Sequence, residues 1–159
     1  MNIASNTKYK ILVVDDDFEL NSSFRLLLEF DGHDVQTAFT GEAALAKLAK
    51  SHHDLLISEY WLPRMRGDQL AALAKQRWPT LPIIMVTANS ADIQLPDPAI
   101  AGVHCLLDKP FTMDQLRQAM SWVLADPSTT RATELALGLE PGSPRPAPHT
   151  RHDPPTYRA

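Results

Sequence analysis

Four apolar segments of this sequence are each followed by polar side chains that are able to do chemistry. Two carboxylates, Asp15 and Asp16, follow the first segment, and a third, Glu59, follows a later one. The hydroxyl of Thr87 and the ammonium of Lys109 follow two more. Carboxylates are ligands for hard cations, while a hydroxyl and an ammonium bind anionic oxygen. If the segments are parallel strands of one sheet, these five side chains share a single polar crevice at the carboxyl ends of the strands.

The spacing of the apolar residues predicts strands that alternate with helices. Short continuous apolar segments are typical of parallel strands that are buried on both faces. Between them, apolar residues recur at helical spacing, and in the first helix Leu20, Phe24, Leu27 and Leu28 share one face. This alternation predicts an α/β fold with a doubly wound parallel sheet. The predicted strands are 9–14, 35–39, 55–58, 82–86 and 104–107, and the predicted helices are 18–30, 40–50, 68–77 and one that begins at a Thr112–Gln115 capping box.

Two proline-containing segments break this alternation. Residues 89–101 stand where a helix is expected between the fourth and fifth strands, but they contain Pro96 and Pro98. Because a proline inside a helix costs about 3 kcal/mol, we expect this fourth helix to be shortened or irregular. Residues 126–159 hold seven of the thirteen prolines and few large apolar residues, which predicts a mostly disordered tail or a segment that orders on a partner. The predicted organisation is a flexible N-terminus (1–7), one folded domain (8–125) and a Pro-rich tail (126–159).

The composition of the chain argues against several classes of protein. The formal net charge of −4 is unlike that of a nucleic-acid binder, so we expect no direct contact with nucleic acid. No apolar run approaches the roughly 20 residues that cross a membrane, and Met1 to Lys10 lacks the apolar core of a secretion signal. The single cysteine, Cys105, lies in an apolar stretch and is expected to be buried and unreactive. These features together predict a cytoplasmic protein.

The segment around Glu59 resembles the phosphorylation site of a known family. Residues 54–67 read as a buried strand that runs into a tight loop. Four residues hold the register after Glu59: Leu62, Pro63, Met65 and Gly67. Over residues 8–125 the chain resembles the receiver domain of bacterial response regulators, and chemotaxis regulators in particular. The resemblance implies a five-stranded parallel sheet of order 2-1-3-4-5 with flanking helices, and a signalling role rather than an enzymatic one.

The resemblance also implies a role for each polar residue of the crevice. Asp16 would bind Mg²⁺ directly, Asp15 would bind it through water, and the backbone carbonyl of Trp61 would complete the protein ligands. The metal and Lys109 would neutralise charge on a transferring phosphoryl group. Thr87 would then hydrogen-bond a phosphoryl oxygen.

Glu59 departs from the pattern of the family, in which this position is the aspartate that takes a phosphoryl group from a histidine kinase. The extra methylene moves the carboxylate by about 1.5 Å, and a misplacement of about 1 Å costs roughly a hundredfold in rate. We therefore predict no useful phosphorylation at Glu59. Either its charge imitates the phosphorylated state, or it forms a salt bridge with Lys109 that holds an inactive pocket. A second departure is Leu106, where the family usually carries a Tyr or Phe that rotates inward.

Other polar residues are better explained by local structure than by chemistry. His52 and His53 are adjacent, so their rings do not both face one ion, and a surface turn is expected. Asp54 is expected to be structural, because it begins a strand at the end of the sheet away from Lys109. Arg66 is expected to be a solvated loop residue.

We interpret the sequence as an atypical receiver module in bacterial two-component signalling, and we expect it to stand alone and to act through protein contacts without phosphorylation at Glu59. Its expected partners are a histidine kinase, a phosphotransfer protein or another regulator, and a homodimer is compatible with the sequence. Mg²⁺ is expected to bind weakly and not to be required. Tyr60 and Trp61, which are expected to be exposed, fit either partner contacts or loop packing. Two alternatives stay open: a phosphorylated receiver that uses a neighbouring acid, and a ligand or metal sensor built on the acidic pocket.

Overall fold

The computed structural model describes residues 7–88 and 102–125, and within them five strands form one sheet that is flanked by four helices. The strands are β1 (Lys10–Val14), β2 (Asp34–Ala38), β3 (Leu55–Glu59), β4 (Ile83–Thr87) and β5 (Cys105–Asp108). The helices are α1 (Phe18–Phe30), α2 (Gly41–Lys50), α3 (Gly67–Arg77) and α4 (Met113–Ala125). The expectations for residues 1–6, for the helix within 89–101 and for the tail 126–159 lie outside the described residues. Elsewhere the predicted bounds are at most one residue away from the observed ones.

The strand order of the sheet, β2-β1-β3-β4-β5, confirms the predicted topology. All four pairs of neighbouring strands are parallel. The register pairs Glu59 with Val86 and Thr87 with Asp108, so the third, fourth and fifth strands end at nearly the same level. This register brings the residues at the strand ends to one edge of the sheet, where doubly wound proteins place their functional sites.

The sheet is buried on both faces, which explains why its strands are continuously apolar. Successive side chains of a strand point to opposite faces, and in β1 Leu12 faces α2 and α3 while Ile11 faces α1 and α4. The same alternation in β5 sends Leu106 to the first side and Leu107 to the second. Each fully buried aliphatic side chain contributes about 1.5–3 kcal/mol, so the two apolar layers supply most of the stabilisation of this framework.

Helix α1 follows directly from the acidic stretch after β1. The Oδ1 atom of Asp17 accepts hydrogen bonds from the backbone N–H groups of Glu19 (2.9 Å) and Leu20 (3.0 Å), and such a cap contributes about 1 kcal/mol. The helix ends before Gly32, whose φ of +93° is costly for other residues. At the other end of α1, the Asp17 cap joins the helix to β1 through a short turn, and this turn fixes the positions of Asp15 and Asp16.

The apolar face predicted for α1 is buried at only two of its four residues. Phe24 and Leu28 are buried as expected, but Leu20 and Leu27 are 42% and 44% exposed. The third buried residue is Asn21. The buried stripe of α1 is therefore Asn21, Phe24 and Leu28, with the spacing i, i+3, i+7. Because this stripe is narrow, several apolar side chains of α1 are left at the surface.

The start of α4 confirms the predicted capping box. The side-chain carbonyl of Gln115 accepts a hydrogen bond from the backbone N–H of Thr112 at 2.8 Å, and the Thr112 hydroxyl accepts one from the backbone N–H of Gln115 at 3.2 Å. Each partner thus satisfies a backbone donor that the first turn of a helix leaves free. This cap fixes α4 directly after the segment that carries Lys109.

Candidate functional site

Lys109 lies between two buried carboxylates at the carboxyl edge of the sheet. Its Nζ atom is 2.6 Å from Oε2 of Glu59 and 3.0 Å from Oδ2 of Asp15. Asp15 and Glu59 are 3% and 8% exposed, and the Lys109 side chain is mostly buried as well. Ion pairs in such surroundings are screened far less than pairs at the surface. One ammonium therefore holds two acidic side chains that come from different strands.

The second carboxylate oxygen of Glu59 is also occupied. Oε1 accepts hydrogen bonds from the backbone N–H groups of Tyr60 (2.9 Å) and Trp61 (3.2 Å). The side chain is therefore turned back over the start of its own loop, with one oxygen on the backbone and the other on Lys109. Hydrogen bonds to a charged group are among the stronger ones in proteins, so this conformation is well fixed.

The charge state of Lys109 follows from the same contacts. Burial alone would lower the pKa of its ammonium, but the hydrogen bonds and attraction of Glu59 and Asp15 outweigh burial and raise it. Lys109 is therefore a cation over the whole physiological range.

Asp15 is held by contacts that the sequence analysis did not foresee. Its Oδ1 atom accepts a hydrogen bond from the backbone N–H of Asp17 at 2.9 Å. The buried amide of Asn21 donates to the backbone carbonyls of Asp15 (2.9 Å) and Ala38 (2.8 Å), which ties the ends of β1 and β2 to α1. The available signal was a polar residue on the apolar stripe of α1, since buried polar side chains are usually hydrogen-bonded for a structural reason.

The residues that the resemblance assigns to Mg²⁺ do not form a ready metal site. Asp16 is exposed, whereas the two carboxylate oxygens of Asp15 are engaged by Asp17 and Lys109. In the part of the chain that the structure describes, no three His, Cys, Asp or Glu side chains are grouped to hold a metal ion. The ammonium of Lys109 supplies the positive charge that a cation would supply between Asp15 and Glu59. In this conformation Mg²⁺ would compete with Lys109 for Asp15, so the donor set fits the ion only weakly.

Thr87 and Leu106 are both buried. The backbone carbonyl of Thr87 accepts a hydrogen bond from the backbone N–H of Lys109 at 2.7 Å, which fixes the lysine against β4. Leu106 packs in the apolar layer under α2 and α3, together with Tyr60. The structure therefore places the side chain of Leu106 inward.

The two aromatic residues after Glu59 differ in exposure. Tyr60 is buried, so the expectation that it is exposed is wrong, whereas Trp61 is more than half exposed as expected. Their rings meet edge to face with centroids 4.8 Å apart. The side chain of Tyr60 packs in the apolar layer under α2 and α3, and its backbone carbonyl accepts a hydrogen bond from the backbone N–H of Gly67 at 2.7 Å.

Gly67 permits this loop to close against the strand. A Cβ atom at this position would lie 2.5 Å from the backbone oxygen of Glu59 and 2.6 Å from Sδ of Met85. No side chain larger than hydrogen fits there without movement of the loop. The glycine that holds the register in the sequence is thus required by the close approach of α3 to the end of β3.

Asp54 directly precedes β3 at the end of the sheet away from Lys109, as predicted, and the expected surface turn of the two histidines is wrong for His53, which is buried. Asp54 accepts a hydrogen bond from the backbone N–H of Lys10 at 2.7 Å and contacts the exposed ring of His52 at 3.0 Å. The ring of His53 is buried and contacts the carbonyl of Ser51 (3.0 Å) and the side chain of Gln36 (3.2 Å). Burial lowers the pKa of His53 despite the contact with the Ser51 carbonyl. These three residues have local structural contacts.

Arg66 and Cys105 also have local environments. Arg66 is exposed, pairs with Asp68 at 2.9 Å and lies over the ring of Tyr60 at 5.8 Å. Cys105 is buried, and burial raises the pKa of its thiol to about 12. A thiol in that state is a small apolar side chain rather than a nucleophile.

Comparisons with known sequences and with solved structures agree on one protein family. The chain matches the family model of the response regulator receiver domain over residues 11–121. It is 30% identical over 138 residues to the response regulator MprA of Mycobacterium sp. (strain KMS), a match that covers 83% of this chain and 60% of that protein. It is similar to the solved structure of the chemotaxis response regulator CheY4 of Vibrio cholerae, with a TM-score of 0.68, 29% identity, and coverage of 74% of this chain and 100% of that chain.

A second solved structure is similar to the same extent. It is the response regulator TrrA of Thermotoga maritima in complex with Mg²⁺ and BeF, with a TM-score of 0.67 and 27% identity. The match covers 74% of this chain and 100% of that chain. TrrA and CheY4 therefore match along their whole length, whereas this chain spans about three fifths of the length of MprA.

The chain belongs to the response regulator receiver domain family. Receiver domains are signalling modules of two-component systems, not enzymes, and they interact with histidine kinases and other signalling proteins. None of the helices in the described part of the chain is both long enough and apolar enough to span a membrane.

Proposed function

We propose that this domain is an atypical receiver that signals through protein contacts without phosphorylation at Glu59. The observation that carries the proposal is that hydrogen bonds hold both oxygens of the Glu59 carboxylate. One oxygen bonds Lys109 at 2.6 Å, and the other accepts two backbone N–H groups. These three hydrogen bonds take three of the roughly four acceptor sites of the carboxylate, so both oxygens are held before any phosphoryl group arrives.

A phosphoryl group that approached Glu59 would have to separate it from Lys109 and from the backbone of Tyr60 and Trp61. Breaking a buried ion pair by removing one partner costs about 3–5 kcal/mol, so this rearrangement opposes transfer. The glutamate carboxylate also stands about 1.5 Å away from the position of an aspartate carboxylate. The displaced position of the Glu59 carboxylate and the hydrogen bonds that hold it therefore both oppose phosphorylation.

Glu59 also supports a single state of the domain. A phosphoryl group on a receiver would carry a charge of about −1.5 to −2 and would attract the lysine of the pocket. Glu59 provides a carboxylate that already binds Lys109 at 2.6 Å. The partner of the domain, a histidine kinase, a phosphotransfer protein or another regulator, would then recognise a shape that does not depend on the phosphorylation state.

Magnesium enters this proposal only as a weak ligand that is not required. Receiver domains commonly bind Mg²⁺, and TrrA is an example that was solved with the ion. Here Lys109 already neutralises Asp15 and Glu59, so a cation would gain little on entering. This chain spans only part of the length of MprA, so stand-alone operation and the lack of direct contact with nucleic acid stay predictions. A cytoplasmic location is likewise a prediction.

The proposal is tested by incubating the wild-type protein and Glu59→Asp with Mg²⁺ and an acyl phosphate, and then recording intact mass. We expect only Glu59→Asp to gain one phosphoryl group, because the shorter side chain restores the position of the nucleophile. A phosphorylated wild-type protein would overturn the proposal and would favour a neighbouring acid as acceptor. If neither protein reacts, Glu59 is not the sole obstacle, and the proposed cause is wrong.

A second measurement separates this proposal from a sensor built on the acidic pocket. The fluorescence of Trp61 is followed during Mg²⁺ titration in a protein that carries Trp78→Phe and Trp122→Phe, so that Trp61 is the only indole. We expect a response only at millimolar Mg²⁺ in this protein, and a response at lower concentration when Glu59→Asp is added. Saturation at micromolar Mg²⁺ without the Glu59 change would instead support the sensor.

A further inference from the structure

Helix α1 carries a stripe of large apolar side chains at the surface. Phe18, Leu26 and Phe30 are 70%, 66% and 88% exposed. With Ser22 they stand four residues apart in sequence, and residues at that spacing form one ridge of a helix. Soluble domains seldom leave such a ridge in water without a partner, so it indicates an interaction surface.

A groove lies beside this ridge. It has a volume of about 300 Å³, and its floor and walls include Phe18, Ser22, Leu26 and Phe39. The rings of Phe18 and Phe39 are stacked at a centroid distance of 6.0 Å and form one rigid wall. Ser22 has the smallest side chain of these four, so the groove is open at its position. A single aromatic ring is the kind of side chain that fills an opening of this size.

We propose that the groove on α1 binds α1 of a second copy of this chain, with Phe30 of each copy inserted beside Ser22 of the other. In an antiparallel pair of helices with Leu26 on the two-fold axis, each position faces the one that is equally far from Leu26 on the other side. Phe30 then faces Ser22, so a large side chain meets a small one in both halves of the interface. A two-fold interface requires this kind of self-complementarity.

The polar residues beside the ridge neither favour nor oppose this arrangement. Arg25 and Glu29 line the groove and form an ion pair at 2.8 Å within one helix. In the antiparallel pair Arg25 faces position 27 of the second copy, which is two residues from both Arg25 and Glu29 of that copy. The charges of α1 therefore add no selectivity to the pairing.

The exposed apolar area is sufficient for a dimer. An aromatic ring buries about 150–250 Å², so the exposed parts of the three phenylalanines supply roughly 400 Å² in each copy. Leu26 and the polar rim bring the total over two copies to about 1,000 Å², which a specific interface needs at minimum. The interaction is expected to be a weak, reversible dimer. It does not depend on the state of Glu59.

The first test is sedimentation equilibrium of the full chain over a range of concentrations. We expect wild type to dimerise, and Phe30→Ser to raise the dissociation constant by at least about tenfold, since buried aromatic anchors dominate interfaces. Leu73→Ser, which changes a partly exposed leucine on α3, is the matched control and is expected to dimerise like wild type. A protein that is monomeric at all concentrations overturns the proposal. This holds also if α1 proves to bind a kinase or the tail of its own chain instead. A dimer that Phe30→Ser does not weaken overturns it too.

The second test checks the register by oxidative cross-linking. Leu26→Cys places a thiol on the two-fold axis and is expected to cross-link to its own copy. Ser22→Cys and Leu73→Cys are expected not to do so. The native thiol of Cys105 is buried, so it does not compete. Efficient cross-linking of Ser22→Cys to itself would show a different register, and equal cross-linking of Leu73→Cys would show random collision; either result overturns the proposed interface.

Discussion

The Nζ atom of Lys109 lies 2.6 Å from Oε2 of Glu59, in a pocket where both side chains are largely withdrawn from solvent. This contact joins the end of β3 to the segment between β5 and α4, across 50 residues of sequence. Asp15 joins it from β1 at 3.0 Å. The ion pair therefore connects three strand ends and is expected to contribute to stability as well as to the electrostatics of the site.

Replacement of Lys109 by methionine is expected to destabilise the domain by on the order of 3 kcal/mol at neutral pH, because two buried carboxylates are left without a cation. Urea unfolding measures this loss. Lys50→Met, at an exposed position on α2, is the control and is expected to change the free energy of unfolding by less than about 0.5 kcal/mol. A Lys109→Met protein as stable as wild type would contradict the structural role of the ion pair.

The same ion pair predicts a dependence on alkaline pH. The pKa of Lys109 is raised in the folded state above its ordinary value of 10.5. Its contribution to stability is then complete below about pH 10.5 and is lost as the pH rises through the folded-state pKa. The difference in unfolding free energy between wild type and Lys109→Met is therefore expected to shrink above that pH. A difference that stays constant up to the highest pH measured would argue against a charged lysine.

His53 is expected to weaken the domain in mild acid. Its pKa is lowered in the folded state by burial, from an ordinary value of 6.5, so the unfolded chain binds the proton more readily. Stability is complete above about pH 6.5 and falls as the pH drops from there toward the folded-state pKa. We expect wild type to lose more stability than His53→Gln between pH 7.5 and the acid range, whereas His52→Gln, at an exposed neighbouring position, follows wild type. Parallel pH profiles for all three proteins would refute this.

Gly67→Ala is expected to cost about 1–3 kcal/mol, the usual penalty for an added methyl group in a closely packed place. The new Cβ atom would meet the backbone of Glu59 and the sulfur of Met85, and the loop that carries Trp61 would move. Gly32→Ala is the comparison, because a Cβ there meets no atom within 4 Å and only its φ of +93° is strained. We expect both variants to lose stability, but only Gly67→Ala to change the fluorescence of Trp61.

Leu106→Ala is expected to cost about 2–5 kcal/mol, since it opens a cavity in the apolar layer beneath α2 and α3. Leu73→Ala, on the exposed side of α3, is expected to cost well under 1 kcal/mol. Thermal or urea unfolding distinguishes the two. Similar small effects in both variants would show that Leu106 is not a fixed part of the core.

Most of the fold could be predicted from local sequence. Continuous apolar segments determine the buried strands, and the Thr112–Gln115 box determines the start of α4, because both signals act over a few residues. The buried face of α1 could not be predicted as reliably. Asn21 takes an inner position there because two backbone carbonyls, those of Asp15 and Ala38, need its amide, and those carbonyls meet only in the folded sheet.

The sequence by itself determined which residues stand at the strand ends and that a glutamate, not an aspartate, follows the third strand. The alternation of strands and helices was enough to predict that Asp15, Asp16, Glu59, Thr87 and Lys109 lie at one edge of a parallel sheet. Only the tertiary structure decided how these groups share their contacts. Lys109 bonds both Asp15 and Glu59, the second oxygen of Glu59 bonds the backbone of its own loop, and Tyr60 turns inward while Trp61 stays exposed. The physical reason is that the contacts of a long flexible side chain depend on distances between segments that are far apart in sequence, whereas strand and helix patterns depend on neighbours alone.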